Sequence, residues 1–138
     1  MIGDVIGKPG RETIERILPD LRTADGIDFV IANGENLAAG MGLTTGTAAS
    51  LFGAGVDVIT SGNHVWDKRE IYPYLEQTDR VLRPLNYGTH EVPGRGWGTY
   101  EDLERTEEHG QMLHAKPGCV SERAKQRQRD EMGTLGSG

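Results

Sequence analysis

Residues 56–68 read VDVITSGNHVWDK. The first five are β-branched or apolar around one acid, the composition of a buried strand. They run directly into a glycine, a side-chain amide and an imidazole, and an ordinary loop needs neither of the last two. The same arrangement recurs upstream. DFVIAN at 28–33 is a second apolar run and passes into NGEN at 33–36, and MIGDVI at 1–6 is a first, with Asp4 directly after Gly3. Between these runs the apolar period changes from two to 3.6. In GRETIERILPDLR (10–22), Ile14, Ile17, Leu18 and Leu21 fall at the i, i+3, i+4, i+7 positions of one helical face, with Pro19 expected to bend it. TTGTAASLFGAG (44–55) reads as a helix closed by Gly55. Asp67 and Glu70 have the offset of a capping box that would open a helix over DKREIYPYLEQ (67–77), and RVLRP (80–84) is a plausible fourth strand. Strands alternating with helices predict an α/β fold, a βαβαβ parallel sheet with crossover helices.

Composition narrows what such a sheet serves. The 138 residues fit one domain, and 15 Lys and Arg against 21 Asp and Glu give a net charge of −6. That balance argues against a general affinity for nucleic acid or anionic membrane, and no run of about eighteen apolar residues is present to span a bilayer. The single Cys119 has no internal disulfide partner, and an acid stands where a signal peptide needs an apolar stretch, so a cytoplasmic location is expected. Residues 1–100 hold 22 charged side chains while the last 38 hold 14, and those 38 contain only Leu103, Leu113, Val120 and Leu135 of the Leu, Ile, Val and Phe set. Residues 101–138 are therefore expected to be a polar tail, disordered or weakly helical, after a domain at 1–100.

Parallel strands joined by right-handed crossovers present all their C-terminal ends at one sheet edge, where open α/β sheets bind ligands. Five donors stand just past those ends: Asp4, then Glu35 and Asn36, then Asn63 and His64. Carboxylate, amide and imidazole groups suit a borderline to hard divalent ion such as manganese or iron, with magnesium or zinc as further options. Glu35 is the natural carboxylate to lie between two ions, the arrangement used for phosphate-ester hydrolysis. His64 is placed to protonate a leaving oxygen, since imidazoles exchange protons near neutral pH.

The ordered set GDVIGKPGR, NGEN, GNHVWD and RPLNY, with 31 residues from Asp4 to Glu35 and 28 from Glu35 to Asn63, resembles the bacterial metallophosphoesterases of the calcineurin-like superfamily. Within these it is most similar to the 2′,3′-cyclic-nucleotide 2′-phosphodiesterase branch, over residues 1–100. The resemblance implies an α/β sandwich, a dinuclear centre held by Asp4, Glu35, Asn36 and Asn63 with Glu35 bridging, His64 as proton donor, and a small phosphate ester, a nucleotide, as substrate. It also implies further metal-binding histidines from a second half, including a His-x-His motif that this chain lacks; His90, His109 and His114 lie in contexts that do not match. Relatives of this branch carry more apolar residues before the GD motif, so the first strand is expected to be clipped and the chain to be a truncated half, a poor or inactive catalyst, with an irregular tail.

Other features read more simply. Trp66 is taken as packing under the site. Lys8 and Arg11 are open between a substrate phosphate and a solvated first helical turn. GDVIGKP lacks the gap and the Ser/Thr of a P-loop, and GMGLTTG misplaces the third glycine of a dinucleotide fingerprint. Two classes of function remain: a metal-dependent phosphodiesterase, or a non-catalytic α/β binding module that keeps half of a metal site.

Overall fold

The computed structural model of the chain describes residues 1–87 and 92–100. Four short parallel strands, β1 (Ile2–Asp4), β2 (Ile31–Asn33), β3 (Val58–Thr60) and β4 (Val81–Leu82), lie in the order β1-β2-β3-β4. Each pair of neighbours is joined through a helix: α1 (Gly7–Ala24), α2 (Thr45–Gly53) and α3 (Ile71–Gln77). The α/β class read from the sequence is borne out. The expected tail at 101–138, with His109 and His114, and also His90, lies outside the described residues.

Side chains alternate across a strand, and the register places Ala32, Ile59 and Val81 level with one another on one face. All three are buried in one core with Ile14 and Leu18 of α1, Leu51 of α2, and Ile71 and Leu75 of α3. The three helices therefore share one face of the sheet, as right-handed crossovers between sequential neighbours require.

Local sequence explains the helix ends. Thr44 accepts from the Thr47 N–H at 3.2 Å while Thr47 Oγ1 accepts from the Thr44 N–H at 2.9 Å, a reciprocal cap that opens α2. Gly55, just past that helix, takes φ +104. α1 continues through Pro19, on its exposed side, to Ala24. Two expectations are corrected. Ile17 and Leu21 are exposed, because α1 is rotated so that only the Ile14 and Leu18 side of its stripe meets the core. The Asp67/Glu70 capping box does not form: α3 begins at Ile71 after Glu70, with no side-chain cap, because the Asp67 carboxylate is engaged by His64.

The N-terminal edge of the sheet is bound by charge. Asp57 Oδ2 accepts from Arg22 Nη1 at 2.5 Å and from the Val30 N–H at 2.7 Å, and Arg22 also reaches the Asp28 carbonyl at 2.7 Å. Arg80 lies 4.1 Å over the Phe52 ring and donates to the carbonyls of Asp57 and Val56. These groups tie the helix ends to the strand starts and leave the opposite edge free for chemistry.

Candidate functional site

The strands end in step. Asp4 pairs with Asn33 and Asn33 with Thr60, so the chain leaves the sheet at one level from three neighbouring strands. The loop after β2 is the hub. The Asn33 side chain accepts from the Glu35 N–H at 3.1 Å, folding the chain back at Gly34, whose N–H donates to the Thr60 carbonyl at 2.8 Å. A Cβ at Gly34 would stand 2.6 Å from Ile59 and 2.8 Å from Leu37, so only glycine fits under this turn.

That loop meets the β1 loop through Asn36. Its Nδ2 donates to Asp4 Oδ2 at 2.7 Å, and its carbonyl accepts from the Gly7 N–H at 2.9 Å. Arg11 donates to the Leu37 carbonyl, so its guanidinium braces the loop, while exposed Lys8 pairs with Glu12 at 3.5 Å. The β3 loop is met at two places. The Glu35 carboxylate fills the space beside Gly62, where a Cβ would stand 1.6 Å from Oε2. At Gly42, with φ +76, a Cβ would approach the His64 carbonyl at 3.0 Å and Lys68 Cγ at 3.1 Å.

Asn63 opens a single 3-10 turn, Asn63–Trp66, anchored by fully buried Val65. Trp66 packs edge-to-face on Tyr72 and Tyr87, with ring centroids 5.8 and 5.4 Å away, and Tyr72 Oη donates to its carbonyl at 3.0 Å. The indole is thus part of an aromatic cluster beneath the turn. His64 Nδ1 lies 2.7 Å from Asp67 Oδ2, within hydrogen-bond distance. Sequence reasoning missed this partner; the signal was present as a His and an Asp three residues apart, which share one side of a 3-10 turn.

Asp4 and Glu35 thus offer carboxylate oxygens, Asn36, its amide nitrogen committed to Asp4, offers Oδ1, and Asn63 adds a second amide at the end of β3. The oxygen chemistry fits a hard divalent ion. The number of anionic groups is small: among the described residues no three His, Cys, Asp or Glu side chains gather closely enough to hold an ion. A shallow cavity of about 350 Å³ between the first turns of α1 and α2, lined by Lys8, Arg11, Thr44 and Thr47 among others, contains none of the five candidate residues.

Fold and site together define an α/β domain with its polar donors at the C-terminal ends of parallel strands, the place where such sheets bind ligands. Residues 1–113 match the family model described as YmdB-like protein, and the chain belongs to that family. The family resemblance drawn from the four ordered motifs is borne out. The chain is 44% identical over 95 residues to the 2′,3′-cyclic-nucleotide 2′-phosphodiesterase of Bacillus subtilis, covering 69% of this chain and 36% of that protein. Two crystal structures are similar: a hypothetical protein from Thermus thermophilus (45% identity, TM-score 0.66, 72% of this chain and 38% of that one) and a phosphatase from Mycoplasma pneumoniae (35%, 0.62, 68% and 34%). The chain therefore spans about a third of the length of these relatives. A shorter likeness, 58% over 43 residues, is to the tRNA-splicing ligase RtcB of Pyrococcus abyssi; it covers 31% of this chain and 5% of the ligase, too little to carry an activity across.

Proposed function

We propose that residues 1–100 are a donor-bearing part of a metal-dependent phosphodiesterase acting on small phosphate esters, 2′,3′-cyclic nucleotides in particular, in a reducing cytoplasm. The observation that carries this reading is the interlocking of three strand-end loops around Asp4, Asn36 and Glu35, with Asn63 and His64 directly after the glycine on which the Glu35 carboxylate rests. The name of the Bacillus relative supports the substrate class.

Asp4, Glu35, Asn36 and Asn63 would hold two divalent ions; the oxygen donors favour manganese or iron, with magnesium or zinc also compatible. Bound there, the ions would supply Lewis acidity to the phosphoryl oxygens and ease attack by water. The chain's own residues do the rest. Asn36 fixes the Asp4 carboxylate, Gly62 makes room for that of Glu35, and His64 delivers a proton to the departing ester oxygen, which leaves as an alcohol. Ions of this class take about six ligands each, so four side chains fill roughly a third of two shells. Water and substrate would supply further ligands, and with so few protein donors turnover is slow.

The test is hydrolysis of 2′,3′-cyclic AMP by the 138-residue chain in manganese, with manganese binding measured in parallel. Slow turnover that a chelator stops and Glu35→Ala removes supports the proposal. Binding without turnover selects the alternative, a non-catalytic module. Neither binding nor turnover overturns both.

A further inference from the structure

We propose that Asp67 is the positioning residue of the His64 imidazole, fixing Nδ1 as its protonated nitrogen and reserving Nε2 for the leaving oxygen. The proposal deepens the reading of His64 as proton donor and rests on it for its catalytic meaning. Its structural part stands alone.

In a 3-10 turn, residues three apart lie above one another. The Asp67 N–H donates to the His64 carbonyl at 3.1 Å, so both side chains rise from one hydrogen-bonded turn, and Nδ1 meets Oδ2 at 2.7 Å. That turn is held from two sides. Val65 is buried at 0% exposure beneath it, and Gly42 of the β2 loop packs against the His64 carbonyl and Asp67 Cβ. The site's hub loop therefore touches the pair as well as carrying Glu35. Asp67 has been withdrawn from the role its spacing to Glu70 offers, for α3 starts without a side-chain cap. The two side chains are 35% and 33% exposed, sheltered enough to hold one geometry and open enough for a substrate to reach the ring.

A carboxylate only accepts, so the nitrogen facing Asp67 has to carry a hydrogen. The tautomer of a histidine is set by the bond its other nitrogen makes. In the reaction the Nε2–H bond breaks as the proton passes to the ester oxygen. The phosphorus–oxygen bond to that oxygen breaks, water's oxygen forms the new one, and water's proton goes to solvent. His64 is left neutral with Nδ1–H still on Asp67.

The experiment is long-range nitrogen–proton NMR of the imidazole rings in the metal-free, substrate-free 138-residue chain. In the neutral ring, His64 is expected as the Nδ1–H tautomer, the minor one in free histidine. Asp67→Ala should return it to Nε2–H with the remaining amide spectrum unchanged, whereas Asp67→Asn, whose amide oxygen still accepts, should keep Nδ1–H. In the manganese assay, Asp67→Ala should lower kcat about tenfold or more with KM unchanged. A wild-type ring already Nε2–H, or an Asp67→Ala ring that stays Nδ1–H, overturns the proposal; if that variant does not fold, the wild-type tautomer decides. A chain that hydrolyses nothing yet shows this tautomer pattern retires the enzymatic reading and leaves the positioning intact.

Discussion

Replacing Gly62 with alanine separates site geometry from fold stability. Gly62 has φ −125, a conformation any residue adopts, so the backbone does not require glycine there. What requires it is the Glu35 carboxylate: an added Cβ would stand 1.6 Å from Oε2 and 2.5 Å from Cδ. Ordinary contact begins near 3.4 Å, so the carboxylate has to retreat by roughly 1.8 Å, a little more than one carbon–carbon bond. It is the far end of a flexible side chain, and retreat costs the fold little. Loss of glycine's unfolded-state freedom offsets about 0.4 to 1 kcal/mol, so stability should change by less than about 1 kcal/mol. A ligand moved that far no longer serves the ion, and manganese affinity should fall about 10- to 100-fold, or about 1.4 to 2.7 kcal/mol. Titration calorimetry with manganese and thermal unfolding by circular dichroism read the two quantities separately. Wild-type affinity in a folded Gly62→Ala protein would refute the claim that Glu35 binds from this cradle.

Three further outcomes are expected. In the manganese-loaded protein, His64→Ala should lower turnover about 10²- to 10⁴-fold while metal content stays near normal, and Glu35→Ala should lose both; metal analysis beside kinetics checks it, and unchanged His64→Ala turnover rules out the proton-donor role. Arg22→Ala removes a guanidinium that is 10% exposed from the Asp57 carboxylate and the Asp28 and Gly55 carbonyls, which should cost about 2 to 3 kcal/mol in urea unfolding; a loss under about 0.5 would contradict the account of the N-terminal edge. Ala39 is exposed at φ +56, so Ala39→Gly should be neutral or stabilising by up to about 1 kcal/mol while Ala39→Val costs about 1 to 2, and equal effects would show that the strain is absent.

The alternation of strands and helices was legible because Val and Ile gather in the strand runs and the helix faces repeat at 3.6. The loops were legible only as residue types. Asp4, Glu35 and Asn63 could be named from their places at the ends of the strands, but the contacts of Asn36 with Asp4 and of Glu35 with Gly62 join residues 32 and 27 positions apart, which only the register brings together. Asp67 was misassigned for a physical reason: its spacing to Glu70 satisfies a cap, yet its carboxylate turns to the imidazole three residues upstream and α3 opens only at Ile71. Ile17 and Leu21 erred similarly, since periodicity defines a stripe without saying which side of it meets the core. Gly62 reads as a turn glycine; its backbone is ordinary, and its use is the space it leaves.

The central claim, that one sheet edge holds divalent metal through Asp4, Glu35, Asn36 and Asn63, is tested most directly by adding substoichiometric manganese to the nitrogen-15-labelled chain and reading which amide signals broaden. The account predicts broadening confined to residues near 4–7, 34–36 and 62–64, reversed by a chelator and lost in Glu35→Ala. Broadening centred on the acids of α1 or on Asp57, or none at all, would contradict it.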